Sequence, residues 1–422
     1  MRQAPDTHLN GDEINMKKLP LVLALSAASV CGLASAQSSV QVYGRLYPYL
    51  NYEKTSGATA VGTTGMATLA ASPAGPSALS GGIKGMSAGN SRLGFRGTED
   101  LGGGLKAVFQ LETVVAVDNG AAGSTTSFWN RDTFVGLRGG FGSIRLGLMD
   151  TVFKDYGDTI GVLGVSSGSP MSSSNILRKV SFGTSNNARF HERRANSIRY
   201  DSPEFAGGFA LGMQVATNEG PIGTATTGTG SAKTFSYGLK YDKGPIYAAL
   251  AYEVHDNWYG GSSNVPNSRR NLTTPGVKSK DTALQATLEW RINKIHKVEF
   301  DVIKKDYDEN ATIAGRFQNY KNTAYLLGWE ARWTPKWRTA AQIVKSDAGS
   351  CRLVNTACST DGLEGSKMIV GASYYLSRRT YFFGALDKMT NGKSARFAAN
   401  DFGAVNPGED TTHMIMGVSH SF

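Results

Sequence analysis

Polar and apolar side chains alternate in the segment SRLGFRGTEDLGGGLKAVFQLE, which runs from Ser91 to Glu112. Two strands joined by a glycine-rich turn would each have one ionic and one apolar face. The ionic face carries Arg92, Arg96, Lys106, Gln110 and Glu112, and the apolar face carries Leu93, Phe95, Leu105, Phe109 and Leu111. A dry core cannot hold so many ionic groups, since burying each one is costly unless it is paired. The expected chemistry is therefore contact with ions or solutes along a wet surface.

The histidines do not support catalysis. Six are present, and none lies in a Gly-x-Ser-x-Gly nucleophile motif or a His-Glu-x-x-His zinc motif. An active site would need a nucleophile, a base and an orienting group that converge at one place. The sequence predicts no catalytic residue, no cofactor and no metal ion.

Two cysteines, Cys351 and Cys358, lie close together in the segment SCRLVNTACS. Their spacing closes a small loop, so we expect a disulfide bond in an oxidising compartment. The third cysteine, Cys31, lies in an apolar run that we interpret as part of a secretion signal.

A secretory signal peptide is predicted at residues 16–36. It begins with the basic sequence MKK, continues with an apolar run and ends with the small-residue sequence ASA. The apolar run is shorter than the ~20 residues of a membrane-spanning helix. Residues 1–15 fit no targeting pattern, and we interpret them as an extension upstream of the true start at Met16. The functional domain is expected at residues 37–422.

Period-two alternation recurs from residue 40 to the end of the chain and predicts sixteen strands. Their ranges are 40–52, 90–98, 104–116, 131–139, 142–150, 195–202, 207–217, 232–242, 245–254, 280–291, 296–305, 322–332, 337–346, 367–376, 380–390 and 411–422.

Short and long connections alternate between these strands. Short links fall at 99–103, 243–244, 293–295, 334–336 and 377–379, and long ones at 53–89, 117–130, 151–194, 218–231, 255–279, 306–321, 347–366 and 391–410. This alternation places all long connections at one end of the structure, as in bacterial outer-membrane barrels. A soluble β-sandwich, the alternative, follows no such rule. The predicted fold class is all-β, a 16-stranded antiparallel transmembrane β-barrel.

The barrel interpretation turns the apolar faces towards lipid and the polar faces towards a watery lumen. In the first strand, Val40, Val42, Leu46 and Leu50 would point outwards, and Gln41, Tyr43, Arg45, Tyr47 and Tyr49 inwards. The last strand, which ends in HMIMGVSHSF, would pair with the first to close the barrel. Six aromatic residues near strand ends are expected to form an interfacial girdle: Trp290, Trp329, Trp333, Trp337, Tyr374 and Tyr381.

The net charge of +10 favours anionic solutes or lipopolysaccharide as partners. Because the charges are dispersed among the strands rather than clustered, nucleic acid is not an expected partner.

Several segments together resemble the general porins of beta-proteobacteria. They are SSVQVYGRLYPYL, SRLGFRGTEDLGGGLKAVFQLE, NRDTFVGLRGGFGSIRLG, NSIRYDSPEFAGG, SYGLKYDKGPIYAALAYE and the terminal VSHSF. The resemblance implies a homotrimer in the outer membrane, exported through the periplasm and surrounded by lipid and lipopolysaccharide. It also implies that the third external loop folds inward to constrict the channel and that the second reaches over a neighbouring subunit.

By the same resemblance, a wall of arginines faces the inward loop. The matching positions are Arg92 in SRLG, Arg131 in the NR-x-x-FVGL pattern and Arg193 before NS-x-RYDSP. Arg45 replaces the apolar residue that usually follows YG, and Arg96 shares the face of Arg92. Periodicity alone does not settle which side Arg131 faces, because either choice turns one ionic residue, Arg131 or Asp132, outwards. Only the resemblance directs Arg131 inwards, and a local bulge would allow it.

The long connection 151–194 would supply the opposite side of the constriction. Asp155 and Asp158 are the acids expected to face the arginines. In the alternative interpretation, the arginines pair with Asp155, Asp158 or Glu192 and merely hold the loop in place.

The predicted function is passive diffusion of small hydrophilic solutes and ions through a water-filled channel that favours anions. The alternatives are a substrate-specific channel for organic acids or phosphate, and a structural or adhesive barrel.

Overall fold

The computed structural model describes residues 39–77, 82–121, 127–165, 169–217, 232–399 and 403–422. The predicted signal peptide and the residues before it lie outside this part of the chain. Within it, strands dominate and helices are few and short.

The strands are β1 Ser39–Leu46, β2 Tyr49–Ser56, β3 Gly82–Ser87, β4 Arg92–Gly102, β5 Leu105–Val114, β6 Thr133–Gly139, β7 Gly142–Asp150, β8 Arg193–Asp201, β9 Phe209–Thr217, β10 Lys233–Lys243, β11 Ile246–Asp256, β12 Ser279–Arg291, β13 His296–Glu309, β14 Phe317–Arg332, β15 Trp337–Ser346, β16 Ser350–Leu353, β17 Gly365–Tyr375, β18 Thr380–Asn391 and β19 Asp410–Ser421. The helices are α1 Val152–Asp155 and α2 Ser174–Leu177, with single 3₁₀ turns at Val162–Gly164, Asn186–Ala188 and Asn267–Arg269.

These segments form a closed antiparallel barrel of sixteen spanning strands, three of which are interrupted. The first spanning strand is divided into β1 and β2, where Pro48 has no N–H to donate to a neighbour. The second is divided into β3 and β4, and β15 and β16 form the third interrupted strand. The predicted number of spanning strands is confirmed.

The barrel closes between the two ends of the described chain. β19 pairs with both β1 and β2, and the register places Arg45 opposite Ser421. The amide of Phe422 donates to the carbonyl of Gly44 at 3.1 Å, and the amide of Gly44 donates back at 3.2 Å. The C-terminal residue therefore lies in the wall, as the terminal pattern predicts.

Side chains alternate across the wall in the predicted direction. Val40, Val42 and Leu50 on the outer face are 66%, 54% and 50% exposed, whereas Tyr47 and Tyr49 are buried on the inner face. The exposed side chains are apolar and would be costly in water as one continuous band, but they suit a lipid boundary.

Some strands extend further towards the long-loop end than the sequence predicts. β3 and β16 lie within the predicted connections 53–89 and 347–366, and β14 begins at Phe317 rather than at residue 322. The start of β14 (FQNYK) has polar residues on both faces, β16 (SCRL) is only four residues long, and a register shift interrupts the alternation of β3. Period-two hydropathy therefore cannot identify them.

The predicted aromatic girdle is present at the short-turn end, with one exception. Trp290, Trp333 and Trp337 are about half exposed there. Tyr381 was wrongly assigned to the girdle, since its hydroxyl accepts a hydrogen bond from Arg45 inside the barrel. It belongs to the inward-facing set of β18, together with the buried Phe383.

Cys351 and Cys358 form the predicted disulfide, with their Cα atoms 5.7 Å apart. The bond joins β16, which contains Cys351, to the connection that follows it, at the opposite end of the barrel from the short turns. Both cysteines pack against the buried apolar cluster that fills this end of the barrel.

Candidate functional site

The connection between β7 and β8 folds into the lumen instead of outwards. It begins at Thr151, whose side chain accepts a hydrogen bond from the amide of Lys154 and so starts α1. α1 lies against β9, β10 and β11. A Cβ at Gly238 would lie 2.5 Å from the ring of Tyr156, so only glycine lets the loop approach the wall this closely. We call residues 151–192 the inserted loop.

Aromatic side chains fix the inserted loop against one side of the wall. Phe190 stacks on His255 of β11 with ring centroids 4.4 Å apart. Phe182 meets Tyr320 of β14 edge to face at 4.9 Å. This packing fills the lumen next to β11–β14 and leaves the opposite wall to border the open passage.

Carboxylates of the wall hold the tip of the inserted loop. Glu299 on β13 accepts hydrogen bonds from the backbone amides of Thr159 and Ile160, the second at 2.7 Å. Glu289 on β12 accepts from the Thr159 hydroxyl at 2.7 Å. Gln342 on β15 donates to the carbonyl of Ile160 at 2.6 Å. The tip is thereby tied to three spanning strands, β12, β13 and β15.

Arg92 and Arg131 converge on a single carboxylate. Glu112 on β5 lies 3.5 Å from Nε of Arg92 and forms a closer ion pair with Arg131. It also accepts a hydrogen bond from the hydroxyl of Tyr43 at 3.0 Å. Glu112 belongs to the polar face predicted for this strand, but pairing between strands cannot be read from alternation.

Arg193 lies between two other carboxylates of the wall. Its Nε is 2.5 Å from Asp132, and its Nη2 is 3.0 Å from Asp150. Asp150 also pairs with Lys154 at 2.8 Å. This part of the site is therefore close to electrically balanced.

Arg45 and Arg96 have neutral partners. Nε of Arg45 donates to Ser419 at 2.9 Å, its Nη1 donates to the carbonyl of Gly164 at 2.9 Å, and its guanidinium lies 4.1 Å from the ring centre of Tyr47. Nε of Arg96 donates to Gln41 at 3.0 Å. Gly164 belongs to the inserted loop, so Arg45 joins the wall to that loop without a carboxylate.

The two loop acids do not take the predicted places. Asp155 pairs with Arg199 of β8, a residue that no sequence pattern indicated as part of the site. Asp158 accepts hydrogen bonds from Ser173 and, at 3.2 Å, from Gln342 on the far wall, and among the described residues it forms no ion pair with an arginine. Asp158 is directed there because it adopts a left-handed conformation (φ 54°) at the turn of the loop.

The proposed pairing of the arginines with Asp155, Asp158 or Glu192 is also wrong in its partners. In the structure, Arg92, Arg131 and Arg193 pair with Glu112, Asp132 and Asp150 of the wall. Arg131 and Asp132 both reach the lumen because β6 begins only at Thr133, so strand alternation does not apply to them.

The charges of the wall do not cancel around β1, β4 and β5. Four arginines lie there: Arg45, Arg92, Arg96 and Arg131. Among the described residues, Glu112 is the one carboxylate that pairs with any of them. Four positive charges against one negative charge leave a formal excess of three positive charges on this side of the passage. A mobile anion entering the passage would meet a favourable potential here.

His191 near the end of the inserted loop is uncharged at neutral pH. It is 2% exposed. Burial lowers the pKa of His191 well below its ordinary value, and the positive charges of Arg178, Lys154, Lys179 and Arg189 lower it further. The unfolded chain, by contrast, takes up a proton near pH 6.5.

We therefore expect the His191→Gln variant to lose less stability in acid than the parent protein does. As the pH falls below about 6.5, the unfolded parent binds a proton at this residue and the folded parent does not. This contribution costs up to about 1.4 kcal/mol of unfolding free energy for each pH unit until the folded pKa is reached. Denaturant unfolding at several pH values measures it. The His420→Gln variant, at an exposed position, is the control, and equal pH slopes for His191→Gln and the parent would contradict the prediction.

Comparison with known proteins places these features in context. The model of the Gram-negative porin family matches residues 22–394. The chain is similar to a major outer membrane protein P.IB of Neisseria meningitidis serogroup B, with 35% identity over 324 residues, 75% of this chain and 81% of the relative. An anion-selective porin from Comamonas acidovorans has a similar fold, with a TM-score of 0.65 at 23% identity over 92% of this chain and 100% of that one. A trimer form of OmpT from Vibrio cholerae also shares the fold, with a TM-score of 0.58 at 11% identity over 91% of this chain and 99% of that one.

Proposed function

Because the chain belongs to the Gram-negative porin family and forms an outer-membrane channel for the passive diffusion of small solutes, we propose that this channel favours anions over cations. The observation that carries the proposal is the set of four arginines on β1, on β4 and at the entry to β6, which we call the arginine wall. Among the described residues, one carboxylate, Glu112, pairs with two of these arginines, Arg92 and Arg131. The likeness in fold to an anion-selective porin is consistent with it.

The inserted loop makes this charge effective because it narrows the passage. Its backbone contacts the arginine wall at Gly164, while its aromatic side chains fill the opposite side of the lumen. Solutes that cross this narrowing would then pass close to the guanidinium groups. At physiological salt, charges are screened over about 8 Å, so the narrowing decides whether an ion experiences them.

Planar-bilayer recording in a KCl concentration gradient tests the proposal. We expect a zero-current potential whose sign reports faster movement of chloride than of potassium. The preference should decline as salt concentration rises, since screening shortens the reach of the arginines. A zero-current potential of the cation-selective sign at low salt would refute the proposal.

We also propose that the protein assembles as a homotrimer surrounded by lipid and lipopolysaccharide. Loop 2, between β5 and β6, exposes the aromatic side chain of Phe128 (67%) next to Trp129, as a subunit contact outside the barrel would require. Chemical cross-linking in detergent, with the mass of the largest product as the readout, tests the trimer.

We propose that export depends on the signal peptide at residues 16–36 and that the mature protein begins at Gln37. N-terminal sequencing of protein purified from outer membranes tests that boundary. A mature protein that retains MKK would contradict it.

A further inference from the structure

A second basic site lies at the long-loop end of the barrel, away from the arginine wall. It is a cavity of about 340 Å³ between the last third of the inserted loop and the connection that follows β18. This volume is within the range of roughly 300–1,000 Å³ for small-molecule sites. Three cationic side chains line it, Lys179, Arg189 and Arg396, and none of its described lining residues is Asp or Glu.

The cations of this cavity are largely enclosed. Lys179 is 8% exposed. Arg189 is 7% exposed, and its Nη1 pairs with Glu192, which does not line the cavity, at 3.4 Å. Beside them, Val180, Ala188 and Phe397 form a buried apolar floor. Water is thus excluded from one side of the charges, which strengthens their attraction for an anion.

Arg396 has too little compensation for its charge. Its Nε is buried and has no hydrogen-bond partner among the described residues. Burial lowers the pKa of Arg396, and no carboxylate in the described part of the chain offsets this effect. The guanidinium stays charged at neutral pH, because its ordinary pKa is above 12. A half-buried guanidinium whose Nε has no hydrogen-bond partner among the described residues is destabilising, and a bound anion would supply that partner.

The two chain segments that form the cavity are tied together. The amide of Arg396 donates to the carbonyl of Ser181 at 2.8 Å, and Nζ of Lys179 donates to the carbonyl of Ala398 at 3.0 Å. Asn391 holds Phe397 through hydrogen bonds in both directions, at 2.8 and 3.0 Å. The cations are therefore presented in a fixed arrangement, which lowers the entropy lost on binding.

We propose that this cavity binds a small multivalent oxyanion, a phosphate or a dicarboxylate. Guanidinium groups form paired hydrogen bonds with the planar or tetrahedral oxygens of such ions, and an ammonium group adds a further charge-assisted bond. A chloride ion offers one charge and no such geometry. The inference rests on the proposed anion-favouring function, since the channel would bring these solutes to its mouth.

Isothermal titration calorimetry of the purified protein in detergent tests the inference. Inorganic phosphate and succinate are titrated separately at constant ionic strength, with chloride as the reference anion. We expect saturable binding of at least one of the two oxyanions. In the Arg396→Gln and Arg189→Gln variants, that affinity should fall roughly tenfold each, as expected for the loss of one charge-assisted contact.

Two control variants keep the inference separate from the proposed function. Lys393→Gln changes an exposed cation on the same connection, paired with Asp361 at 2.6 Å, and should leave the affinity unchanged. Arg92→Gln should change the zero-current potential but not the oxyanion affinity. Chromatographic elution of each variant at the volume of the parent protein verifies its assembly.

The inference would be overturned if neither oxyanion gave a heat of binding. It would also be overturned if the oxyanion affinity were unchanged in both arginine variants. Loss of binding in Arg92→Gln alone would overturn it too, because the ion would then bind at the constriction. If the oxyanion binds specifically at the cavity but the channel proves cation-selective, the inference is supported and the proposed function is refuted.

Discussion

Replacing Arg92 and Arg131 together with glutamine is expected to shift the zero-current potential strongly towards the cation-selective side. In the parent protein, these two arginines and Glu112 carry a net charge of +1. In the double variant, Glu112 remains alone and the same place carries −1. Charges at a narrowing set the selectivity of a channel, so the loss of two of the four arginines should weaken the anion preference markedly, although Arg45 and Arg96 remain.

A charge series at the same position makes this prediction sharper. Glu112→Gln leaves the two arginines and raises the local net charge to +2, so its anion preference should exceed that of the parent. Arg332→Gln removes a charge at the short-turn end, where the side chain is 65% exposed, and should have little effect. The zero-current potentials of all variants, recorded in the same KCl gradient, test this prediction. If the zero-current potential depended only on the total charge of the protein, and not on where the charge was changed, a role for the arginine wall would be contradicted.

The Arg199→Met variant is expected to be destabilised by about 3 kcal/mol. Arg199 is 4% exposed and joins four groups: Asp155 of the inserted loop, Asp201, the carbonyl of Asp150 and, through Asp201, Arg145. Removing one partner of a buried ion pair typically costs 3–5 kcal/mol, because the remaining charges stay buried. We expect the lower end of this range, since the side chain of Asp155 is 40% exposed to the wet lumen.

The same variant should also loosen the inserted loop, because Asp155 ends α1 at the base of that loop. Current noise through single channels should increase while the unfolding free energy falls. Lys321→Gln is the matched control, since it breaks an exposed ion pair with Asp306 at 2.8 Å and should cost less than about 1 kcal/mol. Equal urea midpoints for the two variants would show that the Arg199 network does not stabilise the fold.

Much of the barrel follows from local pattern. A strand places successive side chains on opposite faces, so the outward direction of Val40 and Val42 and the inward direction of Tyr47 are properties of neighbouring residues. The alternation of short turns and long connections likewise orders the strands and gives their number. Cys351 and Cys358 are close enough in the chain to pair whatever surrounds them. Each of these features depends on residues that are near one another in sequence.

The pairing of charges is different, because it depends on which strands become neighbours and at what register. Glu112 lies opposite Gly94 on β4, which brings it within reach of Arg92. Arg193 is 61 residues from Asp132, and nothing in either segment indicates that the two meet. The cavity around Arg396 needs two connections more than two hundred residues apart. The sequence determined that this chain forms a barrel with charges turned towards water. Only the tertiary structure decided which charges compensate one another, because Coulomb energies depend on distances in space rather than along the chain.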